Sequence, residues 1–196
     1  MLDQTKPLDT REAAIRRAKL KGVIVRTLYI AIPIIIALGI TWLIVKNRTP
    51  SVPDASVGYQ NQGQTHIREG AAHPEYNSNP PTSGWHRTNP ARLGFYDEEL
   101  PDESLIHNLE HGEIWISYKP SVPDAVKEQL KEFLGPRVII TKREKNETDI
   151  AVAAWTRLDA FNLENGVLTE EKMTRINAFV ERWQNRGPER VVSQPF

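Results

Sequence analysis

The chain of 196 residues contains no cysteine. That excludes disulfides, thiolate metal sites and cysteine nucleophiles, and it is compatible with an oxidising compartment. The chain also lacks net charge, with 25 Lys/Arg against 25 Asp/Glu. The balance hides an asymmetry: residues 1–48 carry nine Lys/Arg against three Asp/Glu, and the rest carries 16 against 22. The larger part therefore has no basic stripe, which argues against a nucleic-acid partner. No internal repeat is visible. Histidine, finally, is absent from most of the chain. All five (His66, His73, His86, His107 and His111) fall within one segment, and none lies elsewhere.

What is present begins with an uncharged run, TLYIAIPIIIALGITWLIV, at residues 27–45. As a helix it spans roughly 28 Å, about the hydrocarbon thickness of a bilayer. It is apolar on every side rather than along one stripe, so it does not read as a buried helix of a soluble domain. Pro33 is tolerated in such a helix, and Trp42 suits an interface. Lys6, Arg11, Arg16, Arg17, Lys19, Lys21 and Arg26 precede the run, and only Lys46 and Arg48 follow closely. The basic side stays cytoplasmic under the positive-inside rule. The run is longer than a usual signal core and no A-x-A-like site follows it. The expectation is a single-pass cell-membrane protein: a basic cytoplasmic segment at 1–26, which is helix-prone from residue 9 to 21, a signal-anchor helix contacting lipid at 27–45, and the remainder outside.

Residues 46–61 are rich in Pro, Ser, Gly and Gln without apolar periodicity and read as a linker. A domain then runs over 62–190. Its first half is irregular, with N-S-N-P-P-T-S-G at 77–84 concentrating turn-formers; an X-Pro bond there is a candidate for the cis form. Asp102 or Ser104 can cap a short helix through Glu110, with Gly112 as its stop. Residues 113–118 alternate as a half-buried strand. Pro123 opens a helix that Gly135 closes. R-V-I-I-T at 137–141 and D-I-A-V-A-A-W-T at 149–156 read as two strands of a hairpin around K-R-E-K-N-E. Thr169 caps a helix with apolar residues at Met173, Ile176, Phe179, Val180 and Trp183. The expected fold is α+β, a mainly antiparallel sheet with helices on one face.

The chemistry gathers in H-N-L-E-H, residues 107–111. His107 and His111, four apart, share one face on a helix or on a strand. His86, held by the proline turn, and His66, at the head of the domain, supply third and fourth ligands, while His73 is the spare. Imidazoles without thiolate suit copper(II), zinc or nickel, not calcium or magnesium. Glu110 has three readings: a ligand, a partner fixing an imidazole tautomer, or the catalytic base on a metal-bound water. H-x-x-E-H also matches the inverzincin string, with Glu181 as a distant ligand; Gly112 breaks the helix that motif requires. Thr82 and Ser83 read as turn chemistry, since T-S-G lacks the G-x-S-x-G elbow of a serine nucleophile. Trp115, Trp155 and Trp183 read as core or pocket wall, and Trp85 stands directly before His86.

H-I-R-E-G at 66–70, Y-N-S-N-P-P-T-S-G-W-H at 76–86, G-F-Y at 94–96, H-N-L-E-H-G at 107–112, A-A-W at 153–155 and G-P-E at 187–189 together resemble domain-of-unknown-function family 3105. Its members often carry one N-terminal membrane helix. The resemblance covers about residues 62–190 and implies no activity. It ranks His66, His86, His107 and His111 above His73, and it places Trp85 where the family more often has proline or a small residue. Three functional readings stand side by side. One is a membrane-tethered metal-binding domain holding copper or zinc for metal handling or envelope homeostasis. Another is a metal-dependent envelope hydrolase. The last is a partner-binding envelope protein with a rigid recognition loop. The sequence names no protein partner.

Overall fold

The computed structural model describes residues 6–48 and 52–190. Residues 1–5 of the basic segment, 49–51 of the linker and the 191–196 tail lie outside the described residues. The chain divides into two units, residues 1–49 and 50–196.

The first unit is one helix, α1 (Lys6–Arg48), with Pro33 inside it. The basic and apolar stretches thus form a single helix of roughly 65 Å at 1.5 Å per residue. Its 33 residues from Glu12 to Ile44 include an 18-residue window of mean hydropathy 2.4, long and apolar enough to cross a membrane. Large apolar side chains such as Tyr29, Ile35 and Leu38 stand exposed along it.

The second unit is an α+β domain. Its strands are β1 (Val57–Gly58), β2 (His66–Ile67), β3 (His86–Arg87), β4 (Gly94–Tyr96), β5 (Ile114–Tyr118), β6 (Val138–Lys142), β7 (Ile150–Ala154) and β8 (Arg157–Phe161), and its helices are α2 (Asp102–Glu110), α3 (Asp124–Lys131) and α4 (Glu170–Trp183). Six strands form one sheet in the order β1-β8-β7-β5-β6-β4; β2 and β3 form a separate parallel pair. The large sheet is mainly antiparallel, as expected, with parallel pairing only of β6 to β5 and to β4.

Several local expectations change. β6 and β7 are not a hairpin: β5 lies between them and pairs with both. β5 is therefore central and buried along its whole length rather than half-buried. Ile114, Ile116 and Tyr118 enter the cluster with Val126 and Leu130 of α3 and Ile176 and Phe179 of α4. Trp115 enters the cluster on the opposite face, with Leu105 and Leu109 of α2. Polar–apolar alternation is lost when both faces are covered. The expectation of helices on one face thus holds for α3 and α4, and α2 departs from it. The true hairpin is β7–β8, joined through Trp155 and Thr156, the latter at φ 60°. β8 was hidden because R-L-D-A-F carries charges: Asp159 is buried against Arg175 of α4. At the other edge, Val57 and Gly58 pair with Leu158 and Arg157, so the end of the segment read as a linker belongs to the sheet.

Thr169 caps α4 as expected, accepting from the Lys172 amide. Neither Asp102 nor Ser104 caps α2. Pro101 occupies the N-cap without a side-chain bond, and Asp102 sits in the first turn, where a carboxylate suits the helix dipole. Both its oxygens accept from Arg143, at 2.9 and 2.8 Å.

Candidate metal centre

Three pieces of chain converge on the centre. The turn at 77–84 is the first. Its Asn79–Pro80 bond is cis, Pro80 to Gly84 are buried, and neighbours clamp it from several sides. Arg143 donates to Asn79 Oδ1 at 2.6 Å, Asn79 Nδ2 donates to the Lys145 carbonyl at 2.8 Å, and the Thr156 amide donates to the Thr82 carbonyl at 3.0 Å. Ser83 Oγ accepts from the Gln62 amide at 3.1 Å, a structural use of that hydroxyl. The strand that leaves the turn is β3, and β2 pairs with it so that His66 stands directly opposite His86.

The second piece is α2. It ends in a Schellman motif: the Gly112 amide donates to the Leu109 carbonyl at 2.9 Å and the Glu113 amide to the Asn108 carbonyl at 3.0 Å, with Gly112 at φ +77°. Glycine meets this backbone without strain. Asn108 fixes the 88–93 loop by donating to the Ala91 carbonyl at 2.8 Å and accepting from its amide at 3.0 Å. His107 and Glu110 project toward β3.

The third piece is the segment after α4. The Asn185 amide donates to the Gly112 carbonyl at 2.7 Å and the Glu189 amide to the Glu110 carbonyl at 3.1 Å. A Cβ on Gly187 would overlap the Glu110 carbonyl and the Gly112 nitrogen, so only glycine lets this segment lie against the end of α2.

One ligand atom each from His66, His86, His107 and Glu110 lies within 4.8 Å of the others, a group that could hold a metal ion. Glu110 Oε2 is 3.0 Å from His86 Nε2 and 3.4 Å from His66 Nε2. The edge of a tetrahedron with metal–ligand bonds of about 2.1 Å is about 3.4 Å, so these spacings match. Glu110 Oε1 is engaged separately, accepting from Gln64 Nε2 at 2.7 Å. His86 Nδ1 donates to the Gly84 carbonyl and His107 Nδ1 to the Arg87 carbonyl, each at 2.7 Å. A carbonyl only accepts, so both rings carry their proton on Nδ1 and have Nε2 left to face a cation or a second proton. Metal-binding histidines are oriented in the same way by their other nitrogen. The His86 and Glu110 side chains are 0% and 3% exposed, whereas His66 is 42% exposed and forms the mouth. Trp155 borders His86 edge-on, with ring centroids 6.3 Å apart.

The electrostatics favour the ligand forms. Burial lowers the pKa of His107, reinforced by the neighbouring His111 and His86 and opposed by its bond to Arg87. Burial pushes the Glu110 carboxyl up, but the Gln64 amide and the His86 and His66 imidazoles outweigh it and hold the pKa below the usual range.

His111 joins a second group, with His107 and Glu189. Its Nε2 is 2.9 Å from His107 Nε2 and 3.5 Å from Glu189 Oε2. His73 stands apart, stacked on Tyr76 and 3.5 Å from Glu103. Glu181 is exposed on α4 and belongs to neither group. Trp85 is exposed, and Trp115 is wholly buried. Sequence reasoning missed Gln64, which nothing distinguishes from its neighbours Gln60 and Gln62, and Glu189, whose only signal was the G-P-E string.

No curated protein and no solved structure matches the chain. A family model described as "Protein of unknown function (DUF3105)" matches residues 67–195, a span that holds His86, His107, Glu110, His111 and Glu189 and begins one residue after His66. That match extends over well more than half of the chain, which therefore belongs to the DUF3105 family.

Proposed function

We propose that this protein is a membrane-tethered metal-binding protein, anchored by the apolar part of α1 with its N-terminus cytoplasmic and its domain outside. Its domain holds copper(II) or zinc through His66, His86, His107 and Glu110, and it serves metal handling in the cell envelope. The observation that carries the reading is the pairing of hydrogen bonds with spacing: two buried imidazoles fixed through Nδ1 to carbonyls, and an ionised carboxylate oxygen at a tetrahedral edge from two Nε2 atoms. Without a cation or an extra proton, the His86 Nε2 lone pair and Glu110 Oε2 would face each other at 3.0 Å and repel. The donor set, three imidazoles and one carboxylate, suits these borderline metals and excludes the thiolate-selected ones.

The hydrolase reading survives in one form. If Glu110 stays off the metal, three imidazoles leave an open position and Glu110 becomes the base on a bound water. The proximity of Glu110 Oε2 to two ligand nitrogens favours ligation instead. Glu110→Gln separates the two: as a ligand it loses metal, and as a base it keeps metal and loses hydrolysis.

The primary test is elemental analysis of the full chain, purified in detergent without a His tag, beside a His86→Ala/His107→Ala variant. Near-stoichiometric copper or zinc in the wild type and none in the variant is the expected result. No metal in either, after both ions have been offered, would overturn the reading and leave a rigid partner-binding loop as the account of the histidines.

A further inference from the structure

The second ligand group shares a residue with the first. His107, His111 and Glu189 bring their ligand atoms within 4.8 Å of one another. Their separations, 2.9 Å from His107 to His111 and 3.5 Å from His111 to Glu189, are also close to the tetrahedral edge of about 3.4 Å. Glu189 is placed there by design of the backbone, since its own amide is tied to the Glu110 carbonyl at 3.1 Å. Arg137 holds the other member, donating to the His111 carbonyl at 3.0 Å.

A proton count makes the two groups alternatives. His107 Nδ1 carries the hydrogen donated to Arg87, so the ring has a single lone pair, on Nε2. It binds one ion at a time. An ion held by His107 can therefore exchange His66, His86 and Glu110 for His111 and Glu189 without ever being fully released.

We infer that the two groups are successive stations for one metal ion, with His66, His86, His107 and Glu110 as the resting site and His107, His111 and Glu189 as a transfer station for entry and exit. The inference rests on the metal reading above. The two stations differ in degree of cover. At the first, His86 and Glu110 are 0% and 3% exposed and only His66, at 42%, reaches the surface; at the second, both residues other than His107 are open to solvent, His111 at 14% and Glu189 at 49%. Beside the second station lies a cavity of about 330 Å³ lined by His111, Arg137, Asn185, Glu189 and Arg190. The smaller donor set there, two imidazoles and one carboxylate against three and one, weakens binding and makes the station a place of passage rather than rest.

The test follows zinc leaving the metal-loaded full chain in detergent for a large excess of a chromophoric chelator, by stopped flow, with zinc affinity measured in parallel. Glu189→Gln keeps the amide that anchors the segment and removes the charge at the station. Release and uptake are expected to slow together by about tenfold, about 1.4 kcal/mol in the barrier, with affinity unchanged; Glu189→Asp should recover much of the rate. Unchanged rates would overturn the relay and place the exit past His66. A fall in affinity matching the change in release rate would also overturn it, making Glu189 a ligand of the resting ion. A wild type that binds no zinc or copper would remove the metal reading itself, and the relay with it.

Discussion

Residues 52–101 and residues 102–183 of the domain are held by different forces. The later stretch contains almost all of the buried apolar side chains, arranged on both faces of the sheet. The earlier stretch contributes no large apolar side chain that is fully buried. Beyond the edge strands β1 and β4 and partly buried residues such as Tyr59, Leu93 and Phe95 that pack on the core, it is fastened by side chains bonding distant backbone: Gln62 Nε2 to the Glu75 carbonyl at 2.8 Å, Asn77 Nδ2 to the Gln60 carbonyl at 2.7 Å, and Tyr76 Oη to the Trp85 carbonyl at 2.7 Å. The candidate metal centre sits on the seam, taking His66 and His86 from the polar stretch and His107 and Glu110 from the apolar one. A hydrophobic core is indifferent to a bound ion, whereas a loop layer held by polar bonds is completed by one. Under the proposed metal reading, an ion at this seam would cross-link the two stretches, since it takes ligands from both.

The two stretches should respond most differently to a cut in the core. Ile116 is wholly buried on the central strand, so Ile116→Ala should cost about 2–5 kcal/mol. Denaturant unfolding should give the same loss with and without metal; dependence on metal would erase the distinction between the two regions. His107→Ala should behave in the opposite way. Zinc at a thousand times its dissociation constant should stabilise the wild type by about 4 kcal/mol, and thermal melts of the variant should show no such gain. A gain that persisted would move the ion elsewhere.

Gly187→Ala probes the seam from the third side. With no room for a Cβ against Glu110 and Gly112, overpacking should cost roughly 1–3 kcal/mol. It should also weaken metal binding, because the end of α2 that carries Glu110 must shift. A variant that melts earlier but binds metal with wild-type affinity would uncouple the segment from the centre.

A smaller effect is expected from pH in the metal-free protein. The folded pKa of His107 is depressed below 6.5. The unfolded chain therefore binds a proton first, and this stability is present above pH 6.5 and lost as pH falls through the folded value. Glu110 adds a second loss below pH 4.5, by the same sign. His107→Asn should flatten the first limb in pH-dependent melts, and an unchanged limb would assign it to another group. The smallest change is expected from His73→Ala, which lies in the polar stretch but outside both ligand groups; metal titration should register less than about a twofold change in affinity.

Features that depend only on neighbours along the chain are legible in the sequence alone. The apolar run needs only length and composition to be long enough to cross a bilayer, and α1 follows it. Gly112 ends α2 and Thr169 caps α4 because those devices act within one turn. The clustering of five histidines and the proline-rich turn beside them were equally plain. Tertiary structure decided whatever depends on what covers a surface or stands beside it. β5 read as half-buried until α2 and α3/α4 closed on its two faces, and charged β8 became legible only when Arg175 met Asp159. The same holds at the centre. Spacing along the chain puts His107, Glu110 and His111 within one turn, but the His107 ring is aimed by the carbonyl of Arg87, a residue outside α2 on β3. That long-range bond, with the contacts of Glu110 to Gln64, His66 and His86, gathers Glu110 with His66, His86 and His107, while His111 groups with His107 and Glu189. Which lone pair faces which neighbour is a property of packing, and no periodicity encodes it.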